Sequence, residues 1–134
     1  MTRCGIDIVE IDRIRKVRER HDFDHRFLTP GELEYARMHG KNESFFAGRW
    51  AAKEAVSKAL GCGIGKHCSL LDIEVLSDSS GAPQLRLSGA AAETARKLGI
   101  STWSISISHE KNYAVAMVVA EVSLHKTGKG DVIE

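Results

Sequence analysis

The chain's 134 residues suffice for one domain and leave no room for a second independent core. A hydrophobic content of 43% excludes a disordered chain. A formal net charge of +1 excludes a global electrostatic pull toward nucleic acid or membrane, so a charged partner must be sought in local patches.

From the amino terminus, Arg3 to Val9 alternate as a half-buried strand requires, with Ile6 and Ile8 on one side and Gly5 and Asp7 on the other. From Glu10 the period changes: Ile11, Ile14 and Val17 recur at helical spacing, giving a helix to about Arg20. Phe23, Phe27 and Leu28 form a short apolar patch in an irregular stretch. Thr29-Pro30-Gly31-Glu32 starts a helix with a capping hydroxyl, a first-turn proline and a glutamate three residues after the threonine. That helix should stop at Gly40. Asn42 caps the next and longest helix, which runs to Leu60 and ends at Gly61.

A glycine-rich loop, Gly61 to Lys66, precedes a strand predicted over Leu70 to Leu76, a turn over Ser77 to Gly81, and a hairpin partner over Gln84 to Leu87. Ser88 is placed to cap an alanine-rich helix closing at Gly99. Two strands, Thr102 to Ser108 and Tyr113 to Glu121, complete the pattern. The order predicts an α+β fold, a compact single domain of mainly antiparallel strands packed on a long central helix. It spans residues 1–124, and the polar segment 125–134 is expected to be a flexible tail.

No apolar run approaches the roughly 20 residues of a membrane span. Asp7, Glu10 and Asp12 do not suit a secretory segment. Cys4, Cys62 and Cys68 are an odd set without short paired spacing, which argues against a disulfide framework or a cysteine zinc site. The expectation is a cytoplasmic protein with reduced thiols.

On the longest helix Glu54 and Lys58 lie roughly 40° apart, on the side of Ala47 and Ala51. They are either an ordinary exposed pair or, because alanines allow close approach and Phe46, Trp50, Lys53 and Leu60 cover another side, a candidate site. Asp7 either faces solvent or faces that helix and joins Glu54 in holding a hard cation, since magnesium is usually held by one or two carboxylates plus substrate phosphates and water. The six histidines show no paired zinc spacing. His109 ends a strand in which Ile105 and Ile107 face the core; it is a surface residue or a donor to an anion. The glycine-rich loop is a helix terminator whose N–H groups and Lys66 can also line a phosphate site. Arg13, Lys16 and Arg20, thickened by Arg15, Arg18 and Arg26, are a solvated face or a docking surface for an acidic partner.

Three ordered blocks resemble the holo-acyl-carrier-protein synthase family of 4′-phosphopantetheinyl transferases: Gly5-Ile6-Asp7-Ile8-Val9-Glu10; Phe46 to Ala55 with Lys58, Ala59, Leu60 and Gly61; and Ser106-Ile107-Ser108-His109 with Tyr113 to Ala116. The likeness runs to about Glu121. It implies transfer of 4′-phosphopantetheine from coenzyme A to a serine of apo acyl carrier protein, in support of fatty acid biosynthesis, with adenosine 3′,5′-bisphosphate released. It places the magnesium ligands on Asp7 and Glu54, and the catalytic residues on Glu54, Lys58 and His109. Coenzyme A contacts fall on Arg49, Lys58, Gly63, Gly65, Lys66 and His109. Carrier docking falls on Arg13, with Lys16 and Arg20 as helpers. The family resemblance further implies a homotrimer with sites between subunits, and no nucleic acid or membrane partner. Cys62 departs from a common threonine, and Ala82 interrupts a common Gly-Lys-Pro turn. A non-catalytic module binding RNA or an acidic protein, and a magnesium-dependent phosphoesterase, are the competing readings.

Overall fold

The structure is a computed structural model and describes residues 1–20, 22–123, 125–126 and 132–133. Strand β1, Thr2–Glu10, passes directly into helix α1, Ile11–Arg18, which ends about two residues earlier than the apolar period suggests. The apolar patch that follows, read as irregular, forms one short helix, α2, Phe23–Phe27. Its rings pack against Trp50, Phe27 edge-on with ring centroids 5.6 Å apart, so the turn is held by tertiary contact.

Helix α3, Pro30–Met38, starts at the expected capping box: Glu32 N–H donates to Thr29 Oγ1 at 3.2 Å, and Thr29 N–H donates to Glu32 Oε1 at 2.8 Å. Helix α4, Glu43–Leu60, is bounded as predicted by Asn42, whose Oδ1 accepts from Ser44 N–H, and by left-handed Gly61. A single 3₁₀ turn, Leu70–Asp72, occupies the start of the segment read as strand, so β2 covers Ile73–Ser77 and pairs antiparallel with β3, Pro83–Leu87. Helix α5, Gly89–Lys97, is not capped by the Ser88 side chain; the N–H of Ala91 donates instead to Asp72 Oδ2 at 3.1 Å. A carboxylate from a distant turn thus does the work that local sequence assigned to a serine.

Strands β4, Ile100–His109, and β5, Tyr113–Val122, complete a three-stranded antiparallel sheet in the order β1-β5-β4. Short strands β6, His125–Lys126, and β7, Val132–Ile133, pair in the tail, most of which lies outside the described residues.

Helix α4 lies across one face of this sheet, running from β4 toward β1. At its start a Cβ on Gly48 would meet Ile107 Cγ2 at 2.9 Å; near its end a Cβ on Gly5 would sit 1.9 Å from the Ala55 carbonyl oxygen. Only glycine lets strand and helix backbones approach so closely. The inward faces match this spacing: Ala51, Ala55 and Ala59 on α4 meet Ala114, Ala116 and Val118 on β5, all buried. Consequently β1 presents Gly5, Asp7 and Val9 to the helix, and its bulky residues to the outside. Ile6 and Ile8 are 60% and 64% exposed.

The far side of α4 is closed by a buried polar clasp. Lys53 Nζ, fully buried, donates to Glu32 Oε1 at 2.6 Å, to Phe27 O and to Leu70 O. Glu32 Oε2 accepts from Val75 N–H at 2.8 Å. One ion pair therefore ties α3, α4, the 3₁₀ turn and β2 together, with each buried charge partnered.

Candidate active site

Because the inward face of β1 carries Asp7 two residues after Gly5, the glycine contact brings this carboxylate to the edge of α4. Lys58, on the last turn of α4, donates to Asp7 Oδ1 at 3.0 Å and to Ile6 O at 2.9 Å. Glu54 lies one turn earlier on the same face and is partly buried. Burial first, and then the charge of Asp7, hold the Glu54 carboxyl above its ordinary value, against the opposing pull of Lys58 and Arg13. Asp7, Glu54, Lys58 and Arg13 thus form one electrostatic neighbourhood where β1, α1 and α4 meet.

The first half of that cluster suits a hard cation. It offers two carboxylates within mutual electrostatic reach, and their like charges are offset only in part by Lys58 and Arg13. No group of three or more His, Cys, Asp or Glu side chains converges among the described residues. Such a donor set matches magnesium held by carboxylates together with substrate phosphates, and does not match a closed zinc site.

Arg49 and His109 fall elsewhere. Arg49 is five residues before Glu54, about 140° around the helix, and turns toward β2, donating to Val75 O at 3.1 Å and Ser77 Oγ at 3.2 Å. With His109 it lines a cleft of about 550 Å³ that also includes Tyr35, Lys41, Phe45 and Pro83. The structure therefore separates the expected residues into two groups on different flanks of α4. Lys41, Tyr35 and Phe45 were not singled out from sequence; a lone lysine near two aromatic residues carries no periodic or spacing signal.

Gly63, Gly65 and Lys66 are exposed on the loop leaving the Lys58 end of α4. They do not line the Arg49–His109 cleft. On α1, Arg13 and Lys16 are exposed, and Arg20 lies in the turn just beyond the helix. Lys16 and Arg15 both pair with Asp12. Arg18 leaves the basic face altogether: it binds Asp24 and Glu43 and stacks 3.3 Å over Phe46. The local basic surface is thus narrower than the run of arginines suggests, and centres on Arg13, the residue whose charge is felt at Glu54.

The family model of the 4′-phosphopantetheinyl transferase superfamily matches residues 3–118. A holo-[acyl-carrier-protein] synthase of Hydrogenovibrio crunogenus is 47% identical over 119 residues, covering 87% of this chain and 94% of its own. The crystal structure of the Helicobacter pylori holo-[acyl-carrier-protein] synthase in complex with coenzyme A is similar with a TM-score of 0.77 and 42% identity, covering 88% of this chain and 99% of that one. A Bacillus anthracis holo-(acyl-carrier-protein) synthase, in complex with CoA (3′,5′-ADP), matches with a TM-score of 0.76 and 44% identity over 90% of this chain and 96% of that one.

Proposed function

The chain belongs to the 4′-phosphopantetheinyl transferase superfamily, and from that premise we propose that it is a holo-acyl-carrier-protein synthase: it moves the 4′-phosphopantetheine arm of coenzyme A onto a serine hydroxyl of apo acyl carrier protein and releases adenosine 3′,5′-bisphosphate. The observation that carries this reading is the convergence of Asp7, Lys58 and Glu54 from strand and helix.

The reaction breaks the diphosphate of coenzyme A by attack of an alcohol, so charge must be neutralised on the phosphates and a proton removed from serine. Magnesium, held by Asp7 and Glu54, supplies that neutralisation when bound. Lys58 donates to a phosphate oxygen and stabilises the departing bisphosphate. Glu54, the carboxylate beside it, accepts the proton of the serine hydroxyl. Arg49 and His109, with Lys41 and the rings of Tyr35 and Phe45, present cations and aromatic surface suited to the phosphorylated nucleoside end of the substrate. Gly63, Gly65 and Lys66 give N–H groups and charge at the other end. Arg13, assisted by Lys16 and Arg20, receives the acidic carrier.

A homotrimer with sites between subunits belongs to the same reading. Two observations support it: the two residue groups lie on different flanks of α4, and the outer sheet face is apolar. Ile6 pairs with Met117 and Glu10 with Tyr113 across β1 and β5. Ile6, Ile8, Met117 and Tyr113 are 60%, 64%, 47% and 45% exposed, a contiguous patch of the kind that another protein surface covers. A second copy laid on it would bury these four side chains. No helix among the described residues is long and apolar enough to cross a membrane, and we place the activity in the cytoplasm, in support of fatty acid biosynthesis.

Incubation with apo carrier protein, coenzyme A and magnesium tests the function. The expected product is carrier protein heavier by one phosphopantetheine. Breakdown of coenzyme A without carrier labelling would replace this reading with a phosphoesterase. Sedimentation equilibrium tests the assembly against multiples of the 14.7 kDa chain.

A further inference from the structure

Lys58 stands at the end of α4 with its ammonium turned onto β1. Its Nζ donates to Asp7 Oδ1 at 3.0 Å and to Ile6 O at 2.9 Å, so two of its three donors are taken. The lysine side chain is exposed, while that of Asp7 is largely enclosed. The carboxylate assigned above to magnesium is therefore already the partner of a cation that belongs to the chain.

We propose that Lys58 is a built-in competitor of magnesium for Asp7: the divalent ion displaces the ammonium from the carboxylate, and the lysine so released turns to the diphosphate of coenzyme A. This inference rests on the transferase reading and its metal ligands. It adds that ion binding and lysine release are one exchange, so that seating the ion frees the lysine for the phosphates.

Two cations on one carboxylate repel each other, and a divalent ion held by oxygen ligands at about 2.1 Å binds that carboxylate more strongly than an ammonium does. With Asp7 engaged by the ion, Lys58 keeps only the neutral Ile6 carbonyl. A charged phosphate oxygen is then the better acceptor. The Lys58 stem is flexible and lies on an exposed helix face, so the ammonium can swing without moving α4. Asp7 has no such freedom. It lies on β1 in register with Ala116 of β5, two residues from Gly5, where the strand backbone touches the helix. The carboxylate stays and the lysine moves.

The test titrates magnesium into the full-length protein without coenzyme A and follows the bound fraction by the carboxyl-carbon NMR signal of Glu54. Lys58→Met keeps an unbranched stem and a good helix former at an exposed position, so the fold is retained. It should bind magnesium about fivefold more tightly than the parent, the size expected from removing one exposed ion pair. Arg13→Gln removes another cation that acts on Glu54 and is the control for charge alone; its gain should be smaller. Equal gains in the two variants would overturn the exchange, as would magnesium binding in Lys58→Met no tighter than in the parent. Failure of parent and variant alike to bind magnesium would remove the metal assignment itself, and this inference with it.

Discussion

The Lys58 ammonium lies 3.0 Å from the Asp7 carboxylate, across 51 positions of chain, and 2.9 Å from the Ile6 carbonyl. This lysine joins the C-terminal end of α4 to the middle of β1, at the point where Gly5 lets the two backbones touch. The pairing holds Asp7 in position, and the charges of both residues act on Glu54, Asp7 raising its pKa and Lys58 lowering it.

Asp7→Asn removes a negative charge that raises the Glu54 pKa. The Glu54 carboxyl should then titrate at lower pH than in the parent, as followed by carboxyl-carbon NMR. An unmoved titration would place the two carboxylates beyond electrostatic reach of each other.

Glu54→Gln should abolish most transfer and yet raise the melting temperature at neutral pH. A carboxyl whose folded pKa lies above its unfolded value favours the fold below that unfolded value, and the contribution is lost as pH rises through the folded pKa. Glutamine takes no such loss, so the advantage of the variant should vanish below the ordinary value of 4.5. Magnesium should stabilise only the parent, by about 1.4 kcal/mol at tenfold excess over its dissociation constant. Equal thermal shifts in both proteins would remove Glu54 from the metal site.

Arg13→Glu should raise the Michaelis constant for the carrier while leaving that for coenzyme A unchanged. Since Arg13 also lowers the Glu54 pKa, the acid limb of kcat should move to higher pH. Loss of carrier capture without movement of that limb would confine Arg13 to docking.

Gly5→Ala puts a methyl group 1.9 Å from Ala55 O and 2.8 Å from Ala59 N, both backbone atoms that cannot rotate aside. A destabilisation of about 3 kcal/mol is expected in urea unfolding, with transfer reduced because Asp7 shifts with its strand. Wild-type stability would show that β1 and α4 do not touch as described.

Lys53→Met leaves Glu32 charged, buried and short of one partner. The expected loss is about 3–5 kcal/mol. The double variant Lys53→Met, Glu32→Gln should recover part of it, because the uncompensated charge is gone. An additive double variant would mean that the two residues are not coupled.

Local signals made much of this legible in the sequence. The Thr29–Glu32 capping box and the Asn42 to Gly61 limits of α4 were visible because caps act through hydrogen bonds within a few residues. The alternation of Ile105 and Ile107 with serines placed β4 correctly for the same kind of reason. Less visible was the cap of α5, because Asp72 comes from another element. The start of β2 was misjudged where a 3₁₀ turn gives Lys53 a carbonyl to bind, an interaction that strand propensity does not contain.

Most helices and strands and the three family blocks were readable from the chain alone, and Asp7, Glu54 and Lys58 stood out as candidates, since period, caps and motif order are properties of neighbouring residues. Packing at long range settled which way β1 faces, that Asp7 meets Lys58, that Arg18 turns inward, and that Arg49 and His109 stand apart from the carboxylates. Those outcomes follow from close packing: a strand buries whichever face lets the opposing helix approach, and here a glycine outweighed two isoleucines.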